Sequence, residues 1–390
     1  MDPRENPFSP GAGTRPPALT GRDAELEQFD VLLSRLAQGR SGRSMLVTGL
    51  RGVGKTVLLN TFEAMAQERG WYTASREITE ATSLPEEVAR IAQRALRALS
   101  VTRKVRSRVD GLLAGLTGFT VSGPEGLEIS FDPRAGSTGR PADLGDDFGD
   151  LFCAVGEAAL AKDRGVVVLL DEAQFLDGPS LEALLAGLHR VAQRELPFAV
   201  VGAGLPQLPR LAGEAKSYAE RLFTFPSLGR LTDEAAADAL RIPAERQGVT
   251  FAGDAIARAL EVTGRYPYFL QEYGSVAWNV ARDGRISLDD IVTAERIVTD
   301  QLDGGFFRIR FERATQNERR YMRAMAELGD GPQRTADIAR TLGKPAARLS
   351  PQRDALIKKG LVYAPEHGAL DFTVPQFAAY LRRTLPFARD

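Results

Sequence analysis

The run Gly49-Leu-Arg-Gly-Val-Gly-Lys55-Thr56 sets three glycines, an ammonium and a hydroxyl at the spacing G-x-x-x-x-G-K-[ST]. Glycines in such a loop let successive main-chain N–H groups turn inward around phosphate oxygens. A helix beginning at Thr56 adds its positive end to the same point. Lys55 neutralises the outer phosphates, and the Thr56 hydroxyl is a magnesium ligand. The expected cradle is therefore Gly49, Arg51, Gly52, Val53, Gly54, Lys55, Thr56 and Val57. More than a hundred residues on, the apolar run Val166–Leu170 ends in Asp171-Glu172. Two acids at the C-terminal edge of a buried strand lie where open α/β sheets bind ligands. Asp171 is expected to share the metal with Thr56, and Glu172 to polarise an attacking water. Adjacent acids also favour a helix N-terminus, but beside a phosphate loop the metal and base roles explain both.

These groups need a scaffold that sets two strand ends side by side. Met45-Leu46-Val47 reads as a short buried strand before the loop, and Thr56 to Arg69 as a helix after it. Leu26, Phe29, Leu33 and Leu36 recur at helical spacing ahead of them. Further strands are expected at Trp71–Ile78, Val166–Leu170 and Phe198–Gly202, with helices at Leu84–Ser100, Phe152–Lys162 and Ser180–Gln193. Alternating strands and helices imply a parallel sheet covered on both faces. Between Gly111 and Gly149 lie two strand-like runs, Gly118–Val121 and Leu127–Phe131, around the turn Ser122–Gly126, then a Gly/Asp/Pro-rich stretch. This segment reads as an insertion.

The expected division is a flexible Pro-rich tail at 1–19, an α/β core at 20–230 with the insertion at about 111–149, a helical lid at 231–304 and a terminal module at 305–390. No strand is expected in the lid. In the module, helices are expected at Thr315–Leu328, from an N-cap at Thr335, and from Ser350-Pro351 or a few residues earlier to Lys359, followed by strands Leu361–Tyr363 and Leu370–Val374. That order is a winged helix–turn–helix, with Arg348, Gln352, Arg353, Lys358 and Lys359 expected to face outward.

Charge separates the same parts. The 390 residues carry a net −1, but residues 305–390 hold 16 Lys and Arg against 9 Asp and Glu. That basic module sits on an acidic body and points to nucleic acid as its partner. One cysteine, Cys153, permits no intramolecular disulfide, which fits a reducing cytoplasm. Two histidines and one cysteine nearly exclude a conventional zinc site. No apolar run has the length of a membrane span, and residues 1–17 have no apolar signal core, so a membrane or secreted protein is not expected. His189, Tyr273, Trp278 and Cys153 all lie in apolar-periodic stretches and read as packing residues.

Beyond the loop and acid pair, the phrase Gly21-Arg22-Asp23-x-Glu25-Leu26 resembles the adenine-side motif of AAA+ ATPases in the branch shared by the STAND ATPases and the Orc1/Cdc6-like initiators. Asp171-Glu172-Ala173-Gln174 is similar to the acid motif of the Orc-like members. Gly264-Arg-Tyr-Pro267-Tyr-Phe-Leu270 resembles their lid motif, whose proline lies near adenine. The resemblance spans about residues 7–304 and implies ATP with Mg2+. Gly21, Arg22 and Pro267 would line the nucleotide site, and Arg265 would reach phosphate or face solvent. It also implies that Arg221, in Ser217–Phe223, is an arginine finger brought to the γ-phosphate by oligomerisation or a domain closure, unless it caps a helix or pairs with Glu220. Val201-Gly-Ala-Gly-Leu-Pro206 departs from the pattern, because no Asn, Ser or Thr stands at the sensor position, which puts fast hydrolysis in question. Two functions follow: a nucleotide switch coupled to a module that binds double-stranded DNA, acting as a regulator or initiator-like factor, or a STAND-type signalling or defence ATPase. In the second, ATP drives homo-oligomerisation and the winged helix contacts protein. The first predicts salt-sensitive DNA binding and the second ATP-dependent oligomers.

Overall fold

The computed structural model describes residues 1–11, 13–99, 103–122, 128–132 and 143–386. The strands of its central sheet, numbered in chain order, are β1 (Ser44–Gly49), β2 (Tyr72–Glu77), β3 (Val166–Asp171), β4 (Phe198–Gly204), β5 (Phe223–Thr224) and β6 (Ser227–Leu228). The order is β2-β3-β4-β1-β5, all parallel, with β6 also pairing with β1. β4 thus lies between the strand that feeds the glycine loop and the strand that ends in the acids.

Strand side chains alternate between two faces, and here each face meets a separate core. Met45, Val47, Val167, Leu169, Ala199 and Val201 pack with Phe29 and Phe62, on the helices Asp23–Ala37 and Lys55–Glu68. Leu46, Val166, Val168, Leu170, Phe198 and Val200 pack on the other side, against helices Leu84–Leu99, Leu144–Leu160 and Gly178–Gln193. A sheet buried on both faces explains why Val166–Leu170 is apolar throughout. Cys153 is fully buried in this second core.

The insertion contains the expected antiparallel hairpin, Phe119–Ser122 with Glu128–Phe131, while its turn at 123–127 lies outside the described residues. The helix expected from Phe152 begins at Leu144, because the Asp143 carboxylate accepts from the N–H groups of Gly145 and Asp146 and caps it there. A helix at Arg103–Leu113, unread in the sequence, precedes the hairpin.

The lid has four helices, Asp233–Glu245, Gly253–Thr263, Pro267–Val280 and Leu288–Gln301. It also has a two-residue parallel pair, Thr250–Phe251 with Arg285–Ile286, where no strand was expected. The last helix runs on through a π-turn at Leu302–Phe307 into Arg308–Glu312. The boundary expected at 304/305 therefore falls inside a continuous helical run. Lid and terminal module share one core, in which Phe307 is in ring contact with Phe377 and Tyr380.

The terminal module holds helices Gln316–Glu327, Thr335–Thr341, Ala346–Lys358 and Phe377–Thr384. A small antiparallel sheet, ordered Gln333–Arg334, Ala369–Phe372, Val362–Tyr363, closes it. Two helix starts depart from the clearest sequence signal. Thr335 is the first helical residue rather than the cap, and its hydroxyl donates to the Gly368 carbonyl across the sheet. The third helix begins at Ala346 after Pro345, so Pro351 stands inside it rather than opening it.

The N-terminal residues are not a free tail. Phe8 is buried against Gly274 and meets Phe251 edge-on. The Asn6 amide donates to the Ser275 carbonyl, and the Trp278 indole N–H donates to the Asp2 carbonyl. The segment opens on a 3-10 turn at Pro3–Glu5 and lies against the lid, so its proline content does not mark a stretch without partners.

Candidate functional site

β1 ends at Gly49, and the chain turns back into the helix Lys55–Glu68 through two left-handed residues, Gly52 (φ 87°) and Gly54 (φ 92°). A side chain strains such a backbone, so these positions require glycine. Gly49 is restricted differently, because a Cβ there would stand 2.6 Å from the Leu228 carbonyl oxygen. The turn aims the loop's amides and the helix N-terminus at one point, and Lys55 folds back over it. The Lys55 ammonium donates to the carbonyls of Gly49 and Leu50 at 2.9 and 3.0 Å. Burial pushes its pKa below the ordinary lysine value, Glu172 and Asp171 pull it back, and Arg51 adds to the lowering.

β3 runs parallel to β1 with β4 between them, which brings Asp171 opposite the start of the loop helix. The Thr56 hydroxyl donates to Asp171 Oδ2 at 2.6 Å. Glu172 follows with φ 52°, a left-handed conformation that a non-glycine residue holds only when its surroundings impose it. Its carboxylate accepts from the Gln174 amide, whose own Oε1 accepts from Leu205 N–H at 3.0 Å. Gln174 is buried and bridges Glu172 to the end of β4. It thus supplies the polar link where the sequence of β4 itself has no polar residue.

The loop faces a cleft of about 400 Å³. Arg51, Gly52, Val53, Gly54, Lys55, Thr56, Val57, Arg22, Pro267 and Glu172 all line it, whereas Gly49 and Asp171, also expected at the site, do not. Gly21 is not in the lining; its φ is 65° and its Cα faces Ala235 and Leu231 at the junction with the lid. The Arg22 guanidinium donates to the carbonyls of Val53 and Gly229, tying the loop to the end of β6. Arg265 turns away and pairs with Asp233, so it does not reach the cleft. Arg221 is exposed on the short helix Ala219–Leu222 and is absent from the cleft.

Three contributors were not foreseen. The N-terminal segment, including Ser9, Thr14 and Leu19, forms one wall, and the Gly13 carbonyl accepts from Asn60 beside the loop helix. Tyr268 forms another, and its N–H donates to the Gly52 carbonyl at 3.2 Å. Arg310 reaches in from the helix that joins lid and terminal module. The sequence signals were faint: an isolated Phe8 in a proline-rich stretch, and an arginine among many.

The lining fits a polyanion. Four cations, Arg22, Arg51, Lys55 and Arg310, face it against one carboxylate, Glu172. The Arg51 Nε is buried, without a hydrogen-bond partner among the described residues. Its guanidinium stands 3.9 Å from Glu172, and its N–H donates to the Thr373 carbonyl of the terminal module at 3.0 Å. Thr56 and Asp171 together offer hard oxygen ligands of the kind Mg2+ takes.

A parallel sheet with the loop strand and the acid strand flanking a third is the fold of a P-loop ATPase. Residues 18–201 match the family model described as AAA ATPase domain, and residues 304–381 match a domain of unknown function, DUF8462. Among solved structures, the chain is similar to the Walker-type ATPase PABY2304 of Pyrococcus abyssi at 17% identity, covering 96% of this chain and 99% of that chain with a TM-score of 0.60. It also aligns with the Aeropyrum pernix Orc1 protein in complex with DNA (18% identity, 96% and 95% covered, TM-score 0.44). A third is the Thermotoga maritima RuvB Holliday junction branch migration motor (16% identity, 96% and 100% covered, TM-score 0.45). No curated protein matches the chain. The first likeness and the family model agree on the fold, an AAA+ P-loop ATPase domain followed by helices. Among the described residues, no helix is long and apolar enough to cross a membrane.

Proposed function

We propose that this chain is an ATP- and magnesium-binding AAA+ switch whose terminal module, residues 305–390, is a winged helix–turn–helix that binds double-stranded DNA. The observation that carries the nucleotide half is the Thr56–Asp171 hydrogen bond of 2.6 Å at the mouth of the glycine loop. It sets two hard ligands beside a nest of amides and a buried ammonium. In this reading the loop and Lys55 hold the phosphates, and Thr56 and Asp171 hold the metal. Bound magnesium neutralises charge on the phosphates. Glu172, fixed by Gln174, orients the attacking water and accepts its proton. Lys55→Ala should abolish nucleotide binding in a fluorescent-nucleotide titration, and unchanged binding would overturn the reading.

The DNA half rests on a second cleft, about 970 Å³, between the helices of the terminal module. Arg319, Arg320, Arg323, Arg340, Lys344 and Arg348 line it, and among the described residues no carboxylate does. Arg323 pairs with Glu327 and Arg340 with Asp337 behind it, yet a surface lined by cations suits an anionic polymer better than a small neutral ligand. Its position refines the expectation from sequence. Arg348 and Lys358 are exposed, Lys358 lying 4.0 Å from Glu80, but Gln352 and Arg353 are half-buried and Lys359 is paired with Glu318. Duplex binding should weaken steeply with salt, and Arg340→Glu with Arg348→Glu should flatten that slope by about two contacts. DNA affinity indifferent to both charges would refute this half.

The hydrogen bond from Arg51 to Thr373 favours a second reading, a STAND-type signalling or defence ATPase in which the module holds a closed state and contacts protein. Sizing with and without ATP and duplex DNA separates the two: ATP-dependent oligomers without DNA affinity belong to the second. Arg221, exposed on its short helix, is the finger candidate in such an assembly.

A further inference from the structure

Arg310 stands in an arrangement that the nucleotide chemistry above does not use. Its guanidinium carbon lies 3.7 Å over the Phe306 ring, and Nη1 donates to the Phe306 carbonyl at 2.7 Å. Phe306 stacks on Tyr268 at 4.8 Å, and the Tyr268 N–H is bonded to the phosphate loop at Gly52. The aromatic pair holds the guanidinium at the wall of the cleft that Arg51, Lys55 and Glu172 also line. The titratable groups acting on Arg310 are Arg51 and Arg313, both cations, opposed only by the Tyr268 phenol, and among the described residues no carboxylate pairs with it. Burial, with Arg51 adding to it, lowers its pKa to about 10. A cation kept among cations at a polyanion site is stabilised when an anion arrives.

The same helical run continues from Phe307, which packs on Phe377 and Tyr380 of the terminal module. On the other side of the cleft, the Arg51 N–H is bonded to Thr373. Thr373 is itself buried, and its hydroxyl donates to the Gly360 carbonyl at 2.7 Å. Two arginines facing one cleft are thus each tied to the terminal module, one through its helix and one through its main chain.

We propose that Arg310, with Arg51, contacts the outermost phosphate of the bound nucleotide and so reports triphosphate against diphosphate to the terminal module. The proposal rests on the cleft being a nucleotide site. It gives the terminal module its own sensor of nucleotide state, independent of the lid motif whose Arg265 points elsewhere.

The test is equilibrium binding of a fluorescent non-hydrolysable ATP analogue and of fluorescent ADP to the full chain, with Arg310→Gln and Arg310→Lys. Loss of a charge-assisted contact to the outer phosphate should weaken the triphosphate roughly 10- to 100-fold and the diphosphate by no more than about threefold. Arg310→Lys should fall between, because an ammonium keeps the charge but not the fork. Equal weakening of both ligands would mean a purely structural arginine, and no weakening of either would mean no contact; each overturns the proposal while leaving the nucleotide site standing. A wild-type chain that binds neither ligand overturns the nucleotide reading and this proposal with it.

Discussion

Lys359 is expected from sequence to face outward and meet DNA, yet its ammonium is 2.6 Å from Glu318, 41 residues earlier. The Glu318 side chain is 6% exposed, and it also accepts from the Thr315 N–H at 2.7 Å as part of a capping box. Replacing Lys359 with Met should therefore act on stability rather than on DNA. Removing one partner of a fully buried pair costs about 3–5 kcal/mol. Here the Lys359 side chain is 31% exposed, and the cap leaves Glu318 one donor, so about 2 kcal/mol is the reasoned figure. Glu318→Gln keeps a capping residue, and the double variant should recover about 1–1.5 kcal/mol of the loss. The pair also carries a pH signature. Burial raises the Glu318 pKa, but Lys359 and the Thr315 cap outweigh it, so the net shift is downward. Its stabilisation is then complete above the unfolded glutamate value of about 4.3 and is lost as pH falls through the lower folded value. Amide exchange across Gln316–Glu327 reads the local free energy, and a DNA titration at fixed salt reads binding. Unchanged exchange with a large loss of DNA affinity in Lys359→Met would refute this assignment.

Glu172→Gln should leave nucleotide affinity intact and stop hydrolysis, and Gln174→Ala should slow hydrolysis about tenfold without weakening binding, since it frees Glu172 from β4; a phosphate-release assay checks both. Phe8→Ala should remove roughly 3 kcal/mol of packing on the lid, exposing residues 1–11 to protease and weakening the nucleotide. Protease resistance equal to wild type would show that the segment is held by other contacts. Gly360 has φ 62°, and a Cβ there would stand 3.1 Å from an Arg51 guanidinium nitrogen. Gly360→Ala should cost about 1–2 kcal/mol from the left-handed backbone alone, measured by urea unfolding.

What could be read from sequence was whatever is decided by neighbours along the chain. The glycine loop is legible because its strain, its amides and its lysine lie within eight residues, and β3 because a strand buried on both faces must be apolar at every position. The helix start at Leu144 was missed, and the one at Ala346 was read only as an earlier alternative to Ser350, where a local signal competed. The Gly/Asp-rich run before Phe152 looks like loop although Asp143 caps a helix within it, and Ser350-Pro351 looks like a start although the helix is already running. The contacts that set charge and partner were illegible for a different reason. Lys359 and Arg353 sit at positions that a helix alone would leave in solvent, and only the fold brings Glu318 and Tyr321 to them. Proline content made residues 1–11 look unpartnered, because an extended segment buries single side chains such as Phe8 without a repeat. The same limit applies to Arg310. Nothing near it in the chain marks a phosphate contact, and its place at the cleft comes from the lid helix running unbroken through the boundary where the sequence suggested a new domain. If that run were a flexible linker, a signal from the nucleotide would dissipate there. As a continuous helical run rooted in a shared core, with Arg310 at one cleft and Phe311 at the other, it is the physical link on which the proposed coupling depends.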